Sequence, residues 1–147
     1  MKYKDKFEQI QAKLFINGKF VDSNGGKNFG VINPTTEEVI GQAVAASEAD
    51  VNLAVQSARH AFDKGEWRKI NAYERAKMLY KFADLLDANA EWLGYFETLN
   101  NGKPLKVSQN EDVPGTAQTY RYFAGQTDKI KGHTLTMTKP FFGMTKK

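Results

Sequence analysis

The 147-residue sequence contains no cysteine. That excludes a disulfide framework, a thiolate nucleophile and a thiolate metal site. Histidine occurs only at His60 and His133. Neither has a second ligating residue at helical spacing, so both read as structural or exposed side chains. No run approaches the roughly 20 apolar residues of a membrane-spanning helix, and no membrane association is expected. The opening MKYKDKFEQI has no apolar core and carries Asp5 and Glu8. It reads as neither a signal nor a transit peptide, which makes the cytoplasm the expected location. The formal charge is +4, but the lysines are scattered, so no nucleic-acid partner is expected.

With 41% hydrophobic and 26% charged residues, the composition is that of a folded chain rather than a disordered one. Residues 1–13 read as a charged arm. In LFINGKFV (Leu14–Val21), Asn17-Gly18 between apolar runs is a two-residue hairpin signal. DSNGGKN turns the chain into FGVINP, and EVIGQAVA gives another strand, so a β-meander is expected within Leu14–Ala45. The period then becomes helical. Ser47 with Asp50 resembles a capping box ahead of the stripe Val51, Ala54, Val55, Ala58 and Phe62. Asn71 with Glu74 starts the next helix, whose stripe is Ala76, Leu79, Tyr80, Ala83 and Leu86. These patterns predict helices over 49–63, 72–99 (broken near Asn89) and 113–130, with Pro114 tolerated in a first turn. Thr134–Thr138 alternates as a half-exposed strand carrying Leu135 and Met137 on one face. The fold class is α+β: an N-terminal meander, three to four helices and a C-terminal strand.

ETLNNGKP (Glu97–Pro104) is a helix stop, with Gly102 suited to the left-handed closing conformation and Pro104 opposed to a restart. Other candidates are weaker. GGKNFG, around Gly25, Gly26 and Gly30, lacks the spacing of a phosphate loop and precedes no helix, so it reads as a turn. Glu111 and Asp112 read as a helix start. Tyr120, Tyr122 and Phe123 divide between core and surface. No residue is assigned a catalytic or cofactor-binding role.

Taken together, LFINGKFV, INPTTEEVIG, ADVNLAVQSARHAF, ADLLDANAEWL, ETLNNGKP and RYFAGQTDKIKG, in this order and spacing, resemble the N-terminal part of the NAD(P)-dependent aldehyde dehydrogenases. The resemblance runs from Leu14 to Lys147. It implies that residues 14–132 form part of the N-terminal layer of an α/β cofactor-binding domain, and that 133–147 begin an oligomerisation arm. It also implies that ETLNNGKP lies near a structural cation, with Val31 and Ile32 supplying backbone carbonyls. Asn100 stands where the family has an acidic side chain. Glu111 and Gly115 fall at the edge of the family's substrate tunnel, and Gln126 replaces a customary tryptophan.

The family's reaction needs a cysteine nucleophile, a nicotinamide cofactor (NAD or NADP) and a glutamate base, all placed beyond the matched segment. The expectation is a truncated aldehyde dehydrogenase-like protein, inactive and without a cofactor when alone. Its expected partner is a full-length or complementary aldehyde dehydrogenase chain. The alternatives are a non-catalytic scaffold using exposed apolar faces, or one half of an enzyme assembled in trans.

Overall fold

The computed structural model describes Tyr3, Lys6 and residues 13–146, so the charged arm over 1–13 falls almost wholly outside the described residues. Strands β1 (Leu14–Ile16) and β2 (Lys19–Val21) form an antiparallel hairpin. Its turn has positive φ at Asn17 (52°) and Gly18 (73°), as Asn-Gly permits. Phe15 pairs with Phe20 across it, ring centroids 5.0 Å apart. Strands β3 (Asn28–Ile32) and β4 (Val39–Val44) form a second antiparallel pair, irregular between Val31 and Ile32.

The two pairs are separate sheets, not the expected meander. The physical reason lies in the intervening loop, whose polar groups bond elsewhere. The Ser23 hydroxyl donates to the Asp50 carboxylate, and the Asn24 amide donates to the same carboxylate at 3.0 Å.

Helix α1 (Glu48–Lys64) starts on the complete Ser47–Asp50 capping box. Gly65 leaves the helical conformation, and a short α2 follows (Glu66–Lys69). Helix α3 (Ala72–Ala88) is capped by the Asn71 side chain, which accepts from the Glu74 amide at 2.9 Å. Asn89 makes the break. Its amide nitrogen donates to the Leu85 carbonyl at 2.7 Å, while its oxygen accepts from the Trp92 indole at 2.7 Å. Helix α4 (Ala90–Asn101) ends on Gly102 at φ 80°.

Two corrections concern the C-terminal part. The helix expected from 113 is preceded by a short α5 (Leu105–Val107) and a π turn (Ser108–Asp112), then runs as α6 (Val113–Ala124). It ends six residues before the expected Ile130, because the Ala124 carbonyl is taken by the Thr127 hydroxyl at 2.9 Å. The Gln126 amide meanwhile closes back on Phe123. The expected single strand is instead a hairpin of two-residue strands, β5 (Thr134–Leu135) and β6 (Gly143–Met144). Leu135 and Met137 are both about half exposed on it.

The core is small and lies where α3 packs on α6. Ala83 of α3 and Ala117 and Ala124 of α6 are sealed from solvent, and Val113 is buried beside them. Alanines let the two helices approach closely. Arg121 fastens them at the surface, 2.6 Å from Asp84 and 2.7 Å from Asp87. These contacts hold its guanidinium above the usual arginine pKa, the Asp84 hydrogen bond first. The apolar stripe of α1 has no such cover. Val51, Val55 and Phe62 are 50%, 61% and 70% exposed.

Candidate functional site

The helix stop is the centre of the site. Gly102 donates its amide to the Thr98 carbonyl at 2.8 Å in a left-handed conformation. A side chain there would meet Pro34 Cγ at 3.1 Å and Thr35 Oγ1 at 3.5 Å. The end of α4 therefore abuts the turn between β3 and β4. That turn is itself organised by the buried Asn33, whose side-chain oxygen accepts from the Thr35 amide at 2.9 Å.

Between the β3–β4 pair and α4 lies a cavity of about 260 Å³. Val31 and Asn100, far apart in sequence, both line it, beside Ile40, Gly41 and Phe96. Ile32 does not line it and is 55% exposed. The side-chain donors at the place of the expected structural cation are neutral. None of the lining residues is acidic, and Asn100 and Gln42 each offer one neutral side-chain oxygen, a weaker cation ligand than a carboxylate. No group of three or more histidine, aspartate or glutamate side chains that could hold a metal occurs among the described residues.

Beyond Gly102, Lys103 turns its ammonium to Asp112 at 2.7 Å and Glu97 at 3.6 Å. The Asp112 hydrogen bond is the main reason that the Lys103 pKa lies above the ordinary lysine value. The π turn is pinned from below as well. Ser108 is fully buried and shares a 3.1 Å hydrogen bond with Thr98, and the Gln109 amide donates to the Glu91 carbonyl at 2.6 Å. Gly94 makes room for this. A Cβ on it would lie 2.8 Å from the backbone nitrogen of Gln109.

Glu111 is exposed on the π turn, and Gly115 is partly buried one turn later in α6. Nothing lies within 4 Å of where a Gly115 side chain would begin, so the space in front of it is open. Glu111 and Gly115 thus share one continuous helical segment, whereas Val31 and Asn100 meet at the cavity between α4 and the β3–β4 pair.

The π turn and its Lys103 clasp escape sequence reasoning. The one signal was Gly94, a residue costing about 1 kcal/mol inside a helix, which marks a close approach by another segment.

The glycine-rich loop does not fit a pyrophosphate. It leads into β3 and not into a helix, and a Cβ on Gly26 would collide with the Ala45 carbonyl. No helix among the described residues is long and apolar enough to cross a membrane.

Comparison with known proteins places this geometry. The chain is 46% identical over 134 residues to aldehyde dehydrogenase 1 of Tanacetum cinerariifolium, covering 91% of this chain and 27% of that protein. It is 44% identical over 142 residues to an aldehyde dehydrogenase of Alternaria alternata, covering 97% of this chain and 28% of that protein. Its fold superposes on the NAD+ complex of an aldehyde dehydrogenase from Bacillus cereus with a TM-score of 0.89 and 41% identity. That superposition takes in 98% of this chain and 30% of the other. The chain thus spans less than a third of the length of these relatives. The sequence model of the aldehyde dehydrogenase family matches residues 20–147. With the family model matching residues 20–147 and the whole fold superposing on a solved member at a TM-score of 0.89, the chain belongs to the aldehyde dehydrogenase family.

Proposed function

We propose that this 147-residue chain does not oxidise aldehydes and binds no NAD by itself, and that it acts by docking onto a complementary aldehyde dehydrogenase chain. The observation carrying this reading is the set of bare apolar side chains on three elements. Val55 and Phe62 of α1, Met78, Phe82 and Leu85 of α3, and Phe141 and Phe142 of the β5–β6 hairpin are 44–74% exposed. Burying each is worth about 1.5–3 kcal/mol, and a whole domain is stable by only about 5–15 kcal/mol. A chain that leaves so many uncovered gains most by acquiring a partner surface. The sequence also holds no cysteine to attack an aldehyde.

In this reading Glu111 and Gly115 border a substrate path completed by the partner, and the chain contributes a wall to it, not the reacting groups. The test is purification of the chain alone and with a chain carrying the rest of an aldehyde dehydrogenase. Alone, it is expected to give no NADH from acetaldehyde, longer aliphatic aldehydes or retinal above a buffer control, and no calorimetric NAD binding at micromolar affinity. Together, a stable complex is expected. Turnover by the chain alone overturns the first half, and failure to co-purify overturns the second. A scaffold for an unrelated partner predicts that second failure.

A further inference from the structure

We propose that the cleft between the β1–β2 hairpin and α1 binds a small carboxylate carrying a short apolar chain. The cleft has a volume of about 510 Å³, within the range of small-molecule sites. Its floor is apolar: the buried Ile16 with Val21 and Leu53. Its rim is polar and comes from both elements. The hairpin contributes Asn17 and Lys19, and α1 contributes Gln56, Ser57 and His60.

Three features single this cleft out. The first is spacing. Leu53, Gln56, Ser57 and His60 recur at three and four residues, so one face of α1 looks into the cleft. Val55 and Phe62, which belong to the docking face proposed above, do not line it. The second is availability. None of the five rim side chains makes a hydrogen bond or ion pair with another described residue. By contrast, the cavity of about 460 Å³ under α4 and α6 holds Lys103 already engaged by Asp112 and Glu97. The third is charge. No acid among the described residues lines the cleft, and Lys19 brings an ammonium that none of them pairs.

An ammonium, two amides and a hydroxyl supply donors enough for the two oxygens of a carboxylate. The floor below them asks for an apolar tail. A lone lysine without arginine or a helix N-terminus is a poor match for a dianionic phosphate. The turn at Asn17-Gly18 holds the rim of the hairpin in place through its left-handed backbone.

The probe is octanoate, followed by saturation-transfer NMR on the 147-residue chain, a readout that tolerates self-association. Octylammonium and inorganic phosphate serve as controls. Octanoate is expected to bind with a Kd of roughly 0.1–1 mM, and octylammonium and phosphate at least about tenfold more weakly. Lys19→Glu and Gln56→Glu, both on exposed side chains without partners among the described residues, are each expected to weaken octanoate by about tenfold or more. Far-UV circular dichroism checks that each variant folds, and the second stands in if the first does not. No octanoate signal, equal binding of octylammonium, saturation by phosphate alone, or unchanged affinity in the folded variants would each overturn the proposal. Complementation of a dehydrogenase plays no part in this readout, so its failure and that of the cleft are distinguishable.

Discussion

Lys103 and Asp112 are joined by a 2.7 Å ion pair that closes the segment between α4 and the π turn into a loop. They stand nine positions apart in sequence, and the pair spans Pro104 and the short α5 just beyond the helix stop. Both side chains are about one-third exposed, so the contact is a partly screened clasp whose value lies in fixing geometry.

That clasp predicts a pH and salt dependence at the alkaline end. The folded Lys103 pKa is raised above its unfolded value near 10.4. Its contribution is therefore full below that value and disappears as pH rises through the higher folded value. Lys103→Met is expected to lower the thermal midpoint at neutral pH and to flatten its decline above about pH 10. Circular dichroism melts across pH, with and without added salt, check both. An unchanged midpoint at low salt would show the pair to be idle.

The acid limb is expected to depend on Asp50. It is 5% exposed and accepts from the Ser23 hydroxyl, the Asn24 amide, and both the amide and hydroxyl of Ser47. These bonds, the Ser23 hydroxyl first, hold its pKa far below the ordinary carboxylate value. The sign is opposite to that of Lys103: the contribution is present above the unfolded pKa, near 3.9, and is lost as pH falls toward the depressed folded value. Asp50→Asn is expected to destabilise the chain at pH 7 and to reduce the steepness of acid unfolding. Amide exchange at whichever of Asn24 and Ser47 faces the new side-chain NH2 is expected to speed up first, because a carboxamide keeps one acceptor oxygen where the carboxylate gives one to each amide. Equal acid profiles for parent and variant would contradict this assignment.

Two glycines are expected to respond oppositely to alanine. Gly94→Ala gains helix propensity of about 1 kcal/mol but drives a Cβ into the Gln109 backbone, where overpacking costs about 1–3 kcal/mol. The backbone cannot swing aside as a flexible side chain would, so net destabilisation is expected. Gly115→Ala has open space in front of it and is expected to stabilise by about 0.5–1 kcal/mol. Denaturant unfolding of the two variants side by side is the measurement. Stabilisation by both would mean that α4 and the π turn are not in close contact, and destabilisation by both that the space before Gly115 is closed.

The bare faces predict behaviour in solution. Val55→Glu with Phe62→Glu on α1, or Phe142→Ser on the β5–β6 hairpin, removes large exposed apolar surface. Size-exclusion chromatography is expected to show less self-association for each set and weaker capture of a complementary dehydrogenase chain. Reduced aggregation with undiminished capture would separate the sticky faces from the docking face.

The elements most legible in the sequence are those whose signals are local. Ser47 and Asp50, Asn71 and Glu74, Asn17 and Gly18, and Asn89 each act within a few residues of themselves. The end of α6 was harder to place, because Tyr122 and Phe123 carry the apolar pattern past the point where Thr127 takes the Ala124 carbonyl. The division of the N-terminal strands into two sheets depends on Asp50, a residue far along the chain that captures the intervening loop. At the candidate site, the meeting of Val31 with Asn100 entered through family resemblance; periodicity has no means of reporting it. The π turn left a trace only in Gly94.

The stop at Gly102 has a consequence for biosynthesis. The β3–β4 turn leans on it through Pro34 and Thr35, yet those residues leave the ribosome long before Gly102 is made. At about 5–20 residues per second, the hairpin waits several seconds for the helix end that covers it. During that interval it emerges as an uncovered two-stranded ribbon, a kind of structure marginal in water by itself. The translation speed between Pro34 and Gly102 therefore sets how long a nascent chain presents an open strand edge to its neighbours.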